Sequence, residues 1–165
     1  MGEDFCDLGF AKVDLGRQER RGFPEVIYCP GKKKEQVRKI ALALAARKQD
    51  LLLTKIDKSL FSYLKKAIKA LKYDPLGRIA YLPGKRKITD CVNKVVILSA
   101  GTADIPVAQE AAVTLELMGN KVIKIYDVGV AGVHRLIKHL NALRQARVII
   151  VAAGMDGALT SLVSG

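Results

Sequence analysis

Apolar positions along this chain switch between a helical and a strand period, and the switches divide it into elements. Val37, Ile40, Ala41, Leu44 and Ala45 recur at i, i+3, i+4, i+7 and i+8, which predicts an amphipathic helix. Leu60, Leu64, Ala67, Ile68 and Leu71 share one face of a second helix, with Lys58, Lys65, Lys66, Lys69 and Lys72 largely elsewhere and Asp57 as its N-cap. Around these helices, residues 26–28, 51–54 and 78–82 predict short strands, and Asp74-Pro75-Leu76-Gly77 a turn. Residues 1–30 otherwise read as an extended or turning arm. Three β-branched runs follow, at 95–98, 122–125 and 148–151, and each opens into a helical pattern. The helix over 106–118 has Pro106 in its first turn and stops at Gly119-Asn120.

This β-α-β-α-β order with short connections implies right-handed crossovers and a parallel α/β sheet with both faces covered. All three post-strand loops then leave one carboxyl edge, where open α/β folds bind ligands. The pattern predicts two regions: a basic arm with a small α+β region over 1–90, and the first part of an α/β domain over 91–165, with Pro83 to Lys87 as linker. The closing helical pattern, from about Gly157 to Gly165, is too short to cover a sheet, and a third strand with an open edge predicts a fold that continues past this point.

Half of the 165 residues are hydrophobic, enough for a core, and no apolar run has the length needed to cross a bilayer. The first thirty residues lack the apolar stretch of a secretion signal. Cys6, Cys29 and Cys91 are odd in number and widely spaced, which argues against a disulfide framework or zinc site and for the reducing cytoplasm. The net charge of +12 is concentrated: residues 1–90 hold 21 Lys and Arg against 11 Asp and Glu, and residues 91–165 hold 7 against 5. Lys32 to Lys34, Lys85 to Lys87 and the 57–72 helix therefore raise a nucleic-acid-binding module as a reading of another class. Only Phe61, Tyr63 and Tyr73 lie near for stacking, so that reading is disfavoured against solvated lysine faces.

The candidate chemistry lies in the three loops. The first holds Ser99, Gly101, Thr102 and Asp104; its glycine lets backbone approach a phosphate, Thr102 offers a hydroxyl, and Asp104 either binds sugar hydroxyls or caps the next helix. Asp127 ends the second strand, where a dinucleotide fold keeps its ribose-binding acid, but G-x-G-x-x-G is absent and a nicotinamide oxidoreductase loses its main support. Gly132, His134 and Arg135 open the following helix, pairing an acid–base group with a bidentate phosphate clamp. His139 lies five residues on, off that face, and no metal ligand set emerges. Asp156, between Gly154 and Gly157, is a carboxylate in a tight loop, able to capture a proton or orient a substrate.

These strings resemble the phosphoribosylaminoimidazole carboxylase superfamily. Within it, Ser99-Ala-Gly-Thr-Ala-Asp-Ile-Pro-Val-Ala108, Asp127-Val-Gly-Val-Ala-Gly-Val-His-Arg135 and Gly154-Met-Asp-Gly-Ala158 are more similar to the nickel-pincer nucleotide biosynthesis carboxylases (LarB-type). Asp14, Arg17, Arg20 and Gly22-Phe-Pro-Glu-Val26 fit the same family. The resemblance implies a three-layer, flavodoxin-like α/β/α fold and carboxylation of the pyridinium ring of nicotinic acid adenine dinucleotide, with phosphoanhydride hydrolysis releasing AMP. It implies carbon dioxide or bicarbonate as co-substrate, magnesium at the phosphoanhydride and a homo-oligomer. It casts Asp156 and His134 as catalytic, and Ser99, Gly101, Thr102, Asp104, Gly132, Arg135 and Gly154 as substrate-binding. Two positions depart from the family pattern: Asp156 stands for the usual Glu, and Ala103 for the usual Ser. The family's cysteine nucleophile is expected downstream of residue 165, which makes the chain inactive by itself. An aminoimidazole ribonucleotide carboxylase or mutase of purine synthesis is the alternative on the same fold.

Overall fold

The computed structural model describes residues 5–84 and 94–165. The chain forms two compact units, Met1–Lys87 and Ile88–Gly165. The 83–87 linker lies largely outside the described residues, as does Cys91.

In the first unit, β3 (Val26–Tyr28), β4 (Leu51–Thr54), β5 (Lys72–Asp74) and β6 (Ile79–Leu82) form a mixed sheet in the order β3-β4-β6-β5. Two helices, α2 (Lys34–Ala46) and α3 (Lys58–Ala67), bury Val37, Ile40, Ala41, Leu44, Leu60 and Leu64 in one core with Ile27, Leu51, Leu53 and Ala80 of the sheet. Asp57 caps α3 as expected, its side chain accepting from Leu60 N–H at 2.7 Å. Asp74 Oδ1 likewise accepts from Gly77 N–H at 2.7 Å in the predicted turn.

Two expectations need correction. Helix α3 stops at Ala67: Ile68 leaves helical angles (φ −119°, ψ 81°), and Lys65 Nζ donates to the Leu71 carbonyl at 2.7 Å. Leu71 is fully buried, so its place in the helical period reflects burial alone, and the chain turns there into β5. Residues 5–30 are also more structured than an arm. The hairpin of β1 (Phe5–Asp7) and β2 (Lys12–Asp14) leads into α1 (Arg17–Arg21), and Val13 and Leu15 enter the core. Gln18 and the buried Asp50 exchange two hydrogen bonds, 3.1 and 3.2 Å, and Gln49 donates to the Leu15 carbonyl at 3.2 Å. Two arginines of this segment pair locally: Arg20 grips both oxygens of Asp14 (2.7 and 2.8 Å), and Arg17 pairs with Glu25 (3.2 Å) over the Phe23 ring.

The second unit is an α/β sheet of β7 (Lys94–Ser99), β8 (Lys121–Ile125) and β9 (Val148–Ala152), all parallel in the order β8-β7-β9. That is the opening 2-1-3 arrangement of a flavodoxin-like sheet. Alternation along β7 separates the layers, since neighbouring strand residues face opposite sides. Val95 and Ile97 pack with Ala108 and Ala112 of α4 (Ile105–Leu117). Val96 and Leu98 pack with Ile125, Leu136 and Leu159, the last two from α5 (Val133–Ile137) and α7 (Ala158–Ser164). The helical pattern after β8 is broken into α5 and α6 (Leu140–Arg144), with His139 at φ −107° between them. Among the described residues, no helix is long and apolar enough to cross a membrane.

Candidate active site

The three strands of the second unit deliver their loops to one carboxyl edge, and backbone hydrogen bonds join those loops. Ala100 N–H donates to the Ala152 carbonyl (3.0 Å), carrying the β7–β9 ladder one residue into the first loop. Ser99 is fully buried; its Oγ accepts from Asp127 N–H at 2.9 Å and its carbonyl from Val128 N–H at 3.0 Å. Ser99 therefore holds the start of the second loop from beneath, through both its side chain and its carbonyl. Gly129 passes so close to the first loop that a Cβ there would lie 2.7 Å from the Ala100 carbonyl oxygen.

Charged groups gather where the loops meet. Arg135 Nη1 donates to Asp127 Oδ2 at 2.7 Å, and both side chains remain partly exposed. Gly132 is buried beneath this guanidinium; a Cβ at that position would lie 2.7 Å from Arg135 Nε. Gly132 thus serves the arginine's placement, and the arginine is what reaches the cleft. Asp104 precedes α4 but makes no side-chain bond to its first turn. Its Oδ2 accepts from Gly101 N–H at 2.9 Å and its Oδ1 from Gly154 N–H at 3.0 Å, so one carboxylate spans the first and third loops. The third loop holds Met155 (φ 29°) and Asp156 (φ 64°) in the left-handed region, a conformation that costs non-glycine residues free energy and presents them at the rim.

The result is a cleft of about 590 Å³, within the usual range for small-molecule sites. Of the expected site residues, Gly101, Thr102, Asp104, Arg135 and Gly154 line it, together with Asp127, Gly129 and Met155. His134 and Asp156 are exposed and are not among the lining residues, although both belong to the same loop edge. Sequence reasoning weighed Asp127 only as a ribose-binding acid of a disfavoured dinucleotide fold and missed its pairing with Arg135; the eight-residue separation across a strand-to-helix turn carries no periodic signal. Among the described residues, no group of three His, Cys, Asp or Glu side chains is placed to hold a metal. Of the cysteines, Cys29 is buried at the end of β3, and burial pushes its thiol up to about 11, so it stays protonated at neutral pH.

Residues 5–85 match the family model of the LarB/PurE-like N-terminal domain. Over those residues the chain resembles the LarB/PurE-like N-terminal domains. An uncharacterized protein of Methanocaldococcus jannaschii is 41% identical over an alignment 160 residues long that covers 93% of this chain. The chain spans 62% of that relative's length. The LarB/PurE-like match falls on the first unit, and the flavodoxin-like sheet with the cleft supplies the second.

Proposed function

We propose that this chain is part of a LarB/PurE-like carboxylase whose substrate is nicotinic acid adenine dinucleotide. The observation that carries the reading is the convergence of three glycine-bearing loops on one cleft, with Arg135 already held at its wall by Asp127. A guanidinium fixed in this way meets a phosphate without first losing rotamer freedom, and its fork suits two oxygens at once. The cleft's charged lining is two carboxylates against one guanidinium. That balance favours a ligand carrying a cationic ring beside its phosphates over a bare polyanion.

The proposed reaction needs an electron-poor pyridinium carbon to attack carbon dioxide. A thiolate adds to the ring and turns it into a dihydropyridine with a nucleophilic carbon; that carbon bonds to carbon dioxide, a base removes the proton from it, and the thiolate leaves as aromaticity returns. Water then cleaves the phosphoanhydride, releasing AMP. Asp156 is proposed as the proton acceptor and His134 as its neighbour along the loop edge, with magnesium arriving on the substrate's phosphates. Cys29, a protonated buried thiol in the first unit, is not the nucleophile of this scheme.

The test offers nicotinic acid adenine dinucleotide or aminoimidazole ribonucleotide, each with bicarbonate and magnesium, to the protein expressed from its complete gene. Equal release of AMP and a carboxylated mononucleotide from the dinucleotide supports the reading. Consumption of the imidazole ribonucleotide alone, or of neither, overturns it.

A further inference from the structure

Glycine loops at a sheet edge are expected to offer their N–H groups to a ligand's phosphate, yet two of those donors are already taken. Gly101 N–H and Gly154 N–H, from the first and third loops, both point at the carboxylate of Asp104, at 2.9 and 3.0 Å. The two loops follow different strands, and the residues joined by the longer bond are 50 positions apart. The close fit extends to the glycine α-carbons: a Cβ at 154 would lie 3.4 Å from Asp104 Oδ1 and one at 101 would lie 3.7 Å from Oδ2.

We infer that Asp104 is a built-in anion, a positioning residue that occupies the donors a phosphate would otherwise use and ties the third loop to the first. Two consequences follow from charge and geometry. A ligand phosphate is excluded from the Gly101–Gly154 donor pair, because it would compete with a tethered carboxylate for the same hydrogens and suffer its repulsion. The phosphate is thereby directed toward Arg135, on the second loop. Asp104 also fixes Gly154, the residue leading into the strained Met155-Asp156 pair, and so sets where the Asp156 carboxylate stands. The inference rests on this cleft being the ligand site and is independent of which nucleotide occupies it.

A residue that merely touched a sugar hydroxyl would lose affinity when removed, whereas a built-in anion leaves behind a vacant anion site. The experiment is a titration of the 15N-labelled chain with inorganic phosphate, combined with amide hydrogen exchange, for the wild type, Asp104→Ala and Asp104→Asn. In the wild type, Gly101 and Gly154 amides are protected and do not move with phosphate. In Asp104→Ala both lose protection, both shift on titration, and phosphate binds about tenfold more tightly, the worth of roughly one charge-assisted hydrogen bond. Asp104→Asn keeps one acceptor and removes the charge, so one of the two amides stays protected and the gain in affinity is smaller. Retained protection of Val96 and Ile97 in β7 certifies the fold; if the alanine variant lacks it, the asparagine variant decides. Unchanged protection at both glycines, or phosphate affinity that is unchanged or lower, overturns the inference. A failure of the wild type to bind nicotinic acid adenine dinucleotide would instead count against the proposed substrate and leave the clamp standing.

Discussion

Replacing Gly129 by alanine adds one methyl group at the closest approach between the first and second loops. Its backbone angles, φ −59° and ψ 161°, are open to any residue, so the penalty is steric contact alone. The new Cβ would sit 2.7 Å from the Ala100 carbonyl oxygen and 3.3 Å from its carbon, where ordinary contact begins near 3.4 Å. Both obstacles are backbone, so the loops must part by roughly 0.7 Å. That movement stretches the bonds from Asp127 N–H and Val128 N–H to Ser99, now 2.9 and 3.0 Å. Overpacking of this kind costs about 1–3 kcal/mol, and the reduced freedom of the unfolded chain returns about 0.4–1 kcal/mol, leaving a net loss centred on roughly 1.3 kcal/mol and no larger than about 2.6 kcal/mol. Urea unfolding, followed through the amides of Asp127 and Val128, reads the loss directly. Gly101→Ala is the matched control, because its Cβ would meet nothing closer than 3.7 Å, and it should unfold like the wild type. Equal stability of the two variants, with undiminished protection at Asp127 and Val128, would refute the close packing of these loops.

Gly132→Ala meets a flexible side chain in place of backbone, so the fold should persist while the guanidinium swings away from Asp127; nucleotide affinity measured by calorimetry should fall about tenfold with little change in urea midpoint. Asp57→Ala removes the acceptor for Leu60 N–H and should cost about 1 kcal/mol in denaturant unfolding, with the loss centred on α3. Cys29 holds its proton to about 11 when folded against an ordinary value of 9.0, so its contribution is complete below pH 9 and is lost as pH rises from 9 toward 11, in total about 3 kcal/mol. Unfolding curves across that window should fall steeply for the wild type and less for Cys29→Ala.

What the sequence made legible follows from how local each signal is. Strand β4 and the start of α3 could be read because a burial period and its end signals lie within a few residues. The three loops could be placed at one edge because parallel pairing leaves no other arrangement once the β-α-β order is known. The end of α3 misled because Leu71 is buried for a tertiary reason while continuing the helical period. The structure of residues 5–30 was hidden because Gln18 and Asp50 find each other across 32 positions. Within the site, residue types pointed to Gly101, Asp104, Arg135 and Gly154, but not to their roles. A carboxylate can cap a helix, bind a sugar or span two loops, and only the positions of Gly101 and Gly154 decide that Asp104 does the last. Ser99 and Gly132 lie beneath the cleft, where they hold Asp127 and Arg135.

The most direct test of the account is a map of where nicotinic acid adenine dinucleotide binds, read from amide shifts of the labelled chain. Shifts are expected in all three loops, at Thr102, at Asp127 through Ala131 and at Met155, with the α2 and α3 amides of the first unit silent. Shifts confined to the first unit, or none in the loops at saturating ligand, would contradict it.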